Sequence, residues 1–316
     1  MNTAQQVQHA LQTSHRISAR RRRFRQNLPL LLLFLPVAAY FIIFKYLPMT
    51  GLIIAFKNYN FADGIWGSPW AGTAHFDQLF STPKTLDVIK NTLMLSLLNI
   101  FVSFPFPVIL AILLYEVKQL WFKKTVQTLV YLPHFLSWVI IGGMVMTIFS
   151  QQSSFLNYWI ERWAGSPYPF LYKELSWIGI YLGSGIWKEA GWSAIIYLAA
   201  LTSIDPSLYE AASIDGAGKF KKIWHITLPG ISSVIVLMFI LSIGKLMDVG
   251  FDHIFVLQNK SVMNVADVIS TYIYRTGLLG AKFSQTTALG LFESVVGLIL
   301  VLAANKIARM FDRGLW

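Results

Sequence analysis

The chain has 316 residues, 55% of them hydrophobic and only 13% charged, with a formal net charge of +11 and a mean hydropathy of +0.54. Soluble domains carry roughly twice that charged fraction, so a water-soluble enzyme or nucleic-acid-binding domain is a poor fit. The absence of cysteine excludes disulfides, thiol catalysis and thiolate metal sites.

In chain order, residues 1–27 form a basic segment with Arg16, Arg20, Arg21, Arg22, Arg23 and Arg25, suited to anionic lipid headgroups. Residues 28–316 read as one transmembrane domain, because apolar runs near the ~20 residues needed to cross a bilayer recur along them. Six spans are predicted, giving an all-α polytopic architecture. They run at about Leu28–Tyr46, Asn91–Tyr115, Val126–Phe149, Trp177–Ser203, Gly230–Val249 and Thr287–Lys306. No small-x-small cleavage pattern follows the first, so it is expected to stay as an anchor. The long segment 47–90 interleaves turn residues with Phe61, Trp66, Trp70 and Phe76, as an interfacial aromatic belt or a partner-facing surface would. Pro105 and Pro107 should kink the second span. Gly142-Gly143, Gly179/Gly183 and Gly290/Gly297 would allow close helix approach.

Ionisable residues inside spans stand out, since each costs about 2.5–3.5 kcal/mol at mid-helix on insertion scales. Lys188 and Glu189 fall near the middle of the fourth span, and neighbours on a helix point about 100° apart, so at least one needs a partner elsewhere. Trp187, Trp192 and Tyr197 lie close by. Such aromatics serve helix packing, or a sugar whose C–H faces stack and whose hydroxyls need partners. Lys245 and Asp248 are spaced to pair on one helix face, Asp252 lies one turn on, and Glu293 sits in the sixth span. The six histidines are scattered, and no H-E-x-x-H spacing occurs.

Basic residues orient the chain. Segments 1–27, 116–125, 204–229 and 307–316 hold the larger share, including Lys118, Lys123, Lys124, Lys219, Lys221, Lys222, Arg309 and Arg313. The opposite loops are longer and carry fewer: Lys57, Lys84, Lys90, Arg162, Lys173, Lys260, Arg275 and Lys282. Both termini and segment 204–229 are therefore expected in the cytoplasm.

That segment is a polar cassette between two spans. Asp205 can cap a helix, and Pro206 fits its first turn, where a missing N–H costs nothing. Tyr209, Glu210, Ala211 and Ala212 continue it, and Gly216, after Asp215, can end it in the left-handed conformation. A basic amphipathic run, Lys219 to Ile226, follows, and Pro229 opens the next span. Gly218-Lys219 lacks the earlier Gly and the following Ser or Thr of a phosphate-binding loop, so no nucleotide site is expected.

The spacing of Glu210, Ala211, Ala212, Gly216, Ile226, Leu228 and Pro229 matches the EAA loop of ABC importer permeases. The blocks Gly51–Tyr59, Trp66–Gly72 and Gln127–Trp138 are similar to carbohydrate permeases that handle oligosaccharides, including aldouronate and alginate importers. Ala71-Gly72-Thr73-Ala74-His75-Phe76 departs from the commoner Val-Gly-x-x-Asn-Phe. The resemblance implies a type I importer fold in the bacterial cytoplasmic (inner) membrane. Tyr209, Glu210, Ala211, Ala212, Asp215 and Gly216 would then dock onto an ATPase subunit. It implies no cofactor on this chain, with ATP and Mg held by partner ATPase subunits. It also implies a second permease and an extracytoplasmic solute-binding protein. The cargo would be an oligosaccharide, with acidic alginate-like glycans suggested by Lys188 and Lys245. Substrate-path candidates are Lys188, Glu189, Trp187, Trp192, Tyr197, Lys245 and Asp248. A polytopic membrane enzyme would need carboxylate pairs or His clusters that are not visible. An ion-coupled secondary transporter would show inverted repeats with paired broken helices, and none is visible either.

Overall fold

The computed structural model describes residues 27–151 and 154–310. The Arg20–Arg25 cluster and Arg313 lie outside them. Among the described residues the chain is all-α, with a single isolated bridge between Lys57 and Trp70. In lipid every backbone N–H and C=O needs an internal partner, and apolar helices meet that need locally.

Helix α1 (Asn27–Phe56) runs past the predicted Tyr46 boundary, because Thr50–Phe56 continues as a tighter 3-10 turn rather than starting the outer loop. None of its most apolar stretch is covered by the rest of the chain. After α2 (Ala74–Ser81), α3 (Pro83–Glu116) forms the second crossing. Its expected proline kink takes the form of a widened π turn over Asn99–Ser103, immediately before Pro105.

The predicted third span is not one helix. It is α4 (Leu120–Phe135) and α5 (Trp138–Phe149), bent by 105°. Pro133 tightens the end of α4 into a 3-10 turn, and Leu136 and Ser137 are extended. The Ser137 Oγ then caps α5 by accepting the Ile140 N–H.

Helix α6 (Phe155–Ala164) lies in the loop that connects α5 to the next long helix. Asn157 ties that loop, donating to the carbonyls of Ser150 and Tyr168 and accepting the Tyr168 N–H. Helix α7 (Glu174–Thr202) has 29 residues, about 43 Å at 1.5 Å per residue, enough to cross. It is the central helix, packing on α3 and α4, with Trp177, Tyr181 and Tyr197 buried. Its Gly, Ser, Lys and Glu content reflects protein neighbours on most sides rather than lipid.

The cassette forms α8 (Pro206–Ile214), and α9 (Lys219–Gly244) follows. The predicted fifth span, Gly230–Val249, is displaced toward the N-terminus. The basic run is helical and joins the span through a π turn at Ile223–Thr227, and the helix stops at Gly244. Beyond it come α10 (Phe251–Leu257), α11 (269–279) and the last crossing, α12 (Phe283–Arg309).

One buried charge joins segments distant in sequence. Asp267, fully buried, meets Lys84 Nζ and an Arg275 guanidinium nitrogen at 2.8 Å each, tying the start of α3 to α11. Asn91 adds a bond to the Asp267 carbonyl. Removing one partner of a buried ion cluster is costly, although both cations here are about half exposed. Asp267→Ala is therefore expected to lower unfolding stability by about 2 kcal/mol, read as a lower thermal midpoint of the purified protein.

Candidate functional site

Two sites emerge from these elements, a polar hairpin and a polar cavity among the long helices. The hairpin is α8 and the start of α9. Asp205 accepts the Ser207 N–H at 2.9 Å, and this bond holds its carboxyl below the usual carboxylate range. Pro206 occupies the first turn. At the other end Gly216 adopts φ +73°, and the Ala217 N–H reaches back to the Ala212 carbonyl at 2.8 Å.

Two side-chain bonds fasten α8 to α9. Tyr209 Oη meets Thr227 Oγ1 at 3.1 Å, and Lys222 Nζ donates to Ser213 Oγ at 2.6 Å. Of the candidate docking residues, Tyr209 therefore faces the elbow, and Ala212 is half-buried. Glu210, Ala211, Asp215 and Gly216 are exposed. Ile214 is 87% and Phe220 88% exposed, and Trp224 is also open. These side chains form an exposed apolar set on an otherwise polar hairpin.

The cavity, about 480 Å3, lies between α3, α7, α9 and α10. The π turn of α3 contributes Asn99 and Ser103, α7 contributes Glu189, Ser193 and Tyr197, and Lys245 and Asp248 follow the end of α9. The Oγ atoms of Ser96 and Ser103 are buried and have no hydrogen-bond partner. The expected Lys245–Asp248 pair does not form among the described residues. The helix ends at Gly244, so the spacing that would align the two is lost, and Asp248 Oδ1 instead accepts the Gly250 N–H at 2.9 Å. Lys245 is exposed and makes no ion pair among the described residues.

Lys188, Trp187 and Trp192 do not line this cavity. Lys188 is buried, and its ammonium donates to the carbonyls of His134 and Leu136 at 2.7 Å each, with Pro133 at 3.5 Å. It sits where α4 breaks, at the negative end of that helix. Glu189 lines the cavity. One of its oxygens lies 2.9 Å from His134 Nδ1, and the other 3.7 Å from Lys188 Nζ. Trp192 stacks on the His134 ring, centroids 4.5 Å apart. Trp187 lines a separate, largely apolar groove of about 1050 Å3 between α5 and α7, as do Gly179 and Gly183, which touch no neighbouring helix closely. That groove is larger, but its walls offer a sugar few hydrogen bonds. The smaller cavity is the more polar of the two.

A family model described as binding-protein-dependent transport system inner membrane component matches residues 86–316. The chain belongs to this family. It is 47% identical over 282 residues to the polygalacturonan/rhamnogalacturonan transport system permease YteP of Bacillus subtilis (strain 168), covering 89% of this chain and 88% of that one. It is 43% identical to Protein LplB of the same organism, over 90% and 89% of the two chains. Among solved structures, a chain of a bacterial ABC transporter involved in import of the acidic polysaccharide alginate superposes with a TM-score of 0.85. That chain is 41% identical, and the match covers 92% of this chain and 98% of that one. A second, with TM-score 0.85, is the bacterial alginate ABC transporter in complex with an alginate pentasaccharide-bound periplasmic protein.

This permease is thus a non-catalytic, multi-pass inner-membrane subunit, and ATP hydrolysis belongs to partner ATPases. Sequence reasoning missed three residues of its interior. The scatter of the histidines in sequence hides His134, whose Nδ1 lies 2.9 Å from Glu189 Oε2. His253 stacks on Trp138, centroids 3.6 Å apart, and meets Ser184 Oγ at 3.0 Å. Gly191 belongs to no paired-glycine spacing, yet a Cβ there would collide with the Val130 carbonyl, so it sets the approach of α4 to α7. Gly191→Leu is expected to abolish folded yield, measured as monodisperse protein after detergent extraction. No local signal marks any of these positions, because each partner is distant in sequence.

Proposed function

We propose that this permease carries uronate-containing oligosaccharides inward. The observation that carries the reading is the electrostatics of the cavity. Its two wall carboxylates are engaged, Glu189 by His134 and Lys188 and Asp248 by a backbone N–H, while Lys245 has no ion-pair partner among the described residues. A carboxylate-bearing sugar finds there a cation, unsatisfied hydroxyls and aromatic edges. The named cargoes of two relatives, polygalacturonan and the acidic polysaccharide alginate, support the same class.

In this reading both termini and the α8–α9 hairpin are cytoplasmic, and the hairpin seats Glu210, Ala211 and Ile214 in a groove of an ATPase subunit. One hairpin fits one groove, so a second permease completes the pore and an ATPase pair binds ATP and Mg. An extracytoplasmic binding protein delivers the glycan. The test is reconstitution of the whole complex in proteoliposomes. ATP hydrolysis stimulated by binding protein loaded with uronate oligomers is expected to exceed that with neutral oligomers of equal length. Lys245→Ala should cut the uronate response several-fold and spare the neutral one. Stimulation by neutral oligomers alone would remove the uronate reading.

A further inference from the structure

The carboxylate of Glu189 is the one acidic group that α7 presents to the cavity, at a point where an acidic cargo would have to pass. Its side chain is 45% exposed, so burial does not hide its charge. A proton-donating group from the break between α4 and α5, His134, engages it instead, beside Lys188, its own neighbour on α7. His134 lies on the 3-10 turn that ends α4, its ring clamped by Trp192 at an interplanar angle of 2° and its carbonyl held by Lys188. That clamp aims Nδ1 at Glu189 Oε2. Lys188 Nζ, on its carbonyls, stands 3.7 Å from Oε1. The broken span thereby delivers a mask to a carboxylate on another helix.

We infer that His134 is a specificity-determining residue: by engaging Glu189 it keeps the cavity wall from repelling anionic glycans. This rests on the uronate reading above. Without His134 the carboxylate would be balanced only by Lys188, which is already committed to main-chain carbonyls, and would repel a passing uronate. Neutral sugars would not feel it. Lys188 cannot serve as the test residue, because it also holds the main chain of the break.

The experiment uses the reconstituted complex with wild type, His134→Leu, Glu189→Gln and the double variant. Each is assayed with binding protein loaded with uronate or neutral oligomers of equal length. His134→Leu is expected to lower the ratio of uronate-driven to neutral-driven transport at least tenfold. His134→Leu/Glu189→Gln should restore the ratio to that of Glu189→Gln alone, because the charge to be masked is gone. Equal losses for both glycans in His134→Leu, or no rescue in the double variant, overturn the inference and leave the uronate reading standing. Wild-type transport of neutral oligomers only overturns both.

Discussion

Glu210→Lys is expected to uncouple the permease, dropping substrate-stimulated ATP hydrolysis and transport at least tenfold while the protein still inserts and extracts normally. Glu210 is exposed on α8, away from the Tyr209–Thr227 bond that fastens the helix, so charge reversal alters the outward surface and not the hairpin itself. Gly216→Val tests the same surface through the backbone. At φ +73° a β-branched residue costs of order 1–3 kcal/mol, which would loosen the turn that sets α8 against α9. The loss in this variant should follow the hairpin's conformation rather than its charge. Coupled transport at wild-type level in both variants would defeat the docking role of α8. The readouts are transport and ATPase rates in proteoliposomes beside membrane yield.

What could be read from the sequence was what is local. The cap at Asp205, the proline at the first turn and the stop at Gly216 each act within a few residues, and the hairpin forms where the spacing placed it. Among the described residues four helices are long and apolar enough to cross, and apolar runs announced these because bilayer thickness fixes their length. The break between α4 and α5 was hidden for a physical reason. Leu132-Pro133-His134-Phe135-Leu136-Ser137 is apolar enough to pass as a kinked span, and what holds it open is a lysine more than fifty residues downstream bonding to main-chain oxygens. Carbonyl partners leave no trace in side-chain spacing. The Lys245–Asp248 expectation failed in the converse way, since i, i+3 spacing means proximity only where the helix continues, and α9 had ended. The join of α8's basic successor to the fifth span was obscured by Pro229. A proline within a first α turn, after a π turn that absorbs its missing N–H, does not end a helix.

Lys188→Met is expected to cost both stability and transport. The methionine fills similar space but leaves the His134 and Leu136 carbonyls without the two 2.7 Å charge-assisted bonds they now accept. Each buried carbonyl left unpaired costs about 1–3 kcal/mol, so a loss of about 3 kcal/mol or more is expected, visible as a lower thermal midpoint. Transport of uronate and neutral oligomers should fall together, by a factor of about a hundred, because the cavity wall built on the break is displaced for any cargo. That pattern separates Lys188 from Lys245, whose loss should be felt by acidic glycans alone. Lys188→Arg should rescue little. A planar guanidinium presents its donors as a fork, whereas these acceptors converge on a point beside the Trp138 ring, 5.5 Å from the ammonium. If Lys188→Met instead kept its thermal midpoint and its neutral-glycan transport and lost only the uronate response, the ammonium would be a cargo contact and the pinning of the break would have to reside in Pro133 and the Ser137 cap.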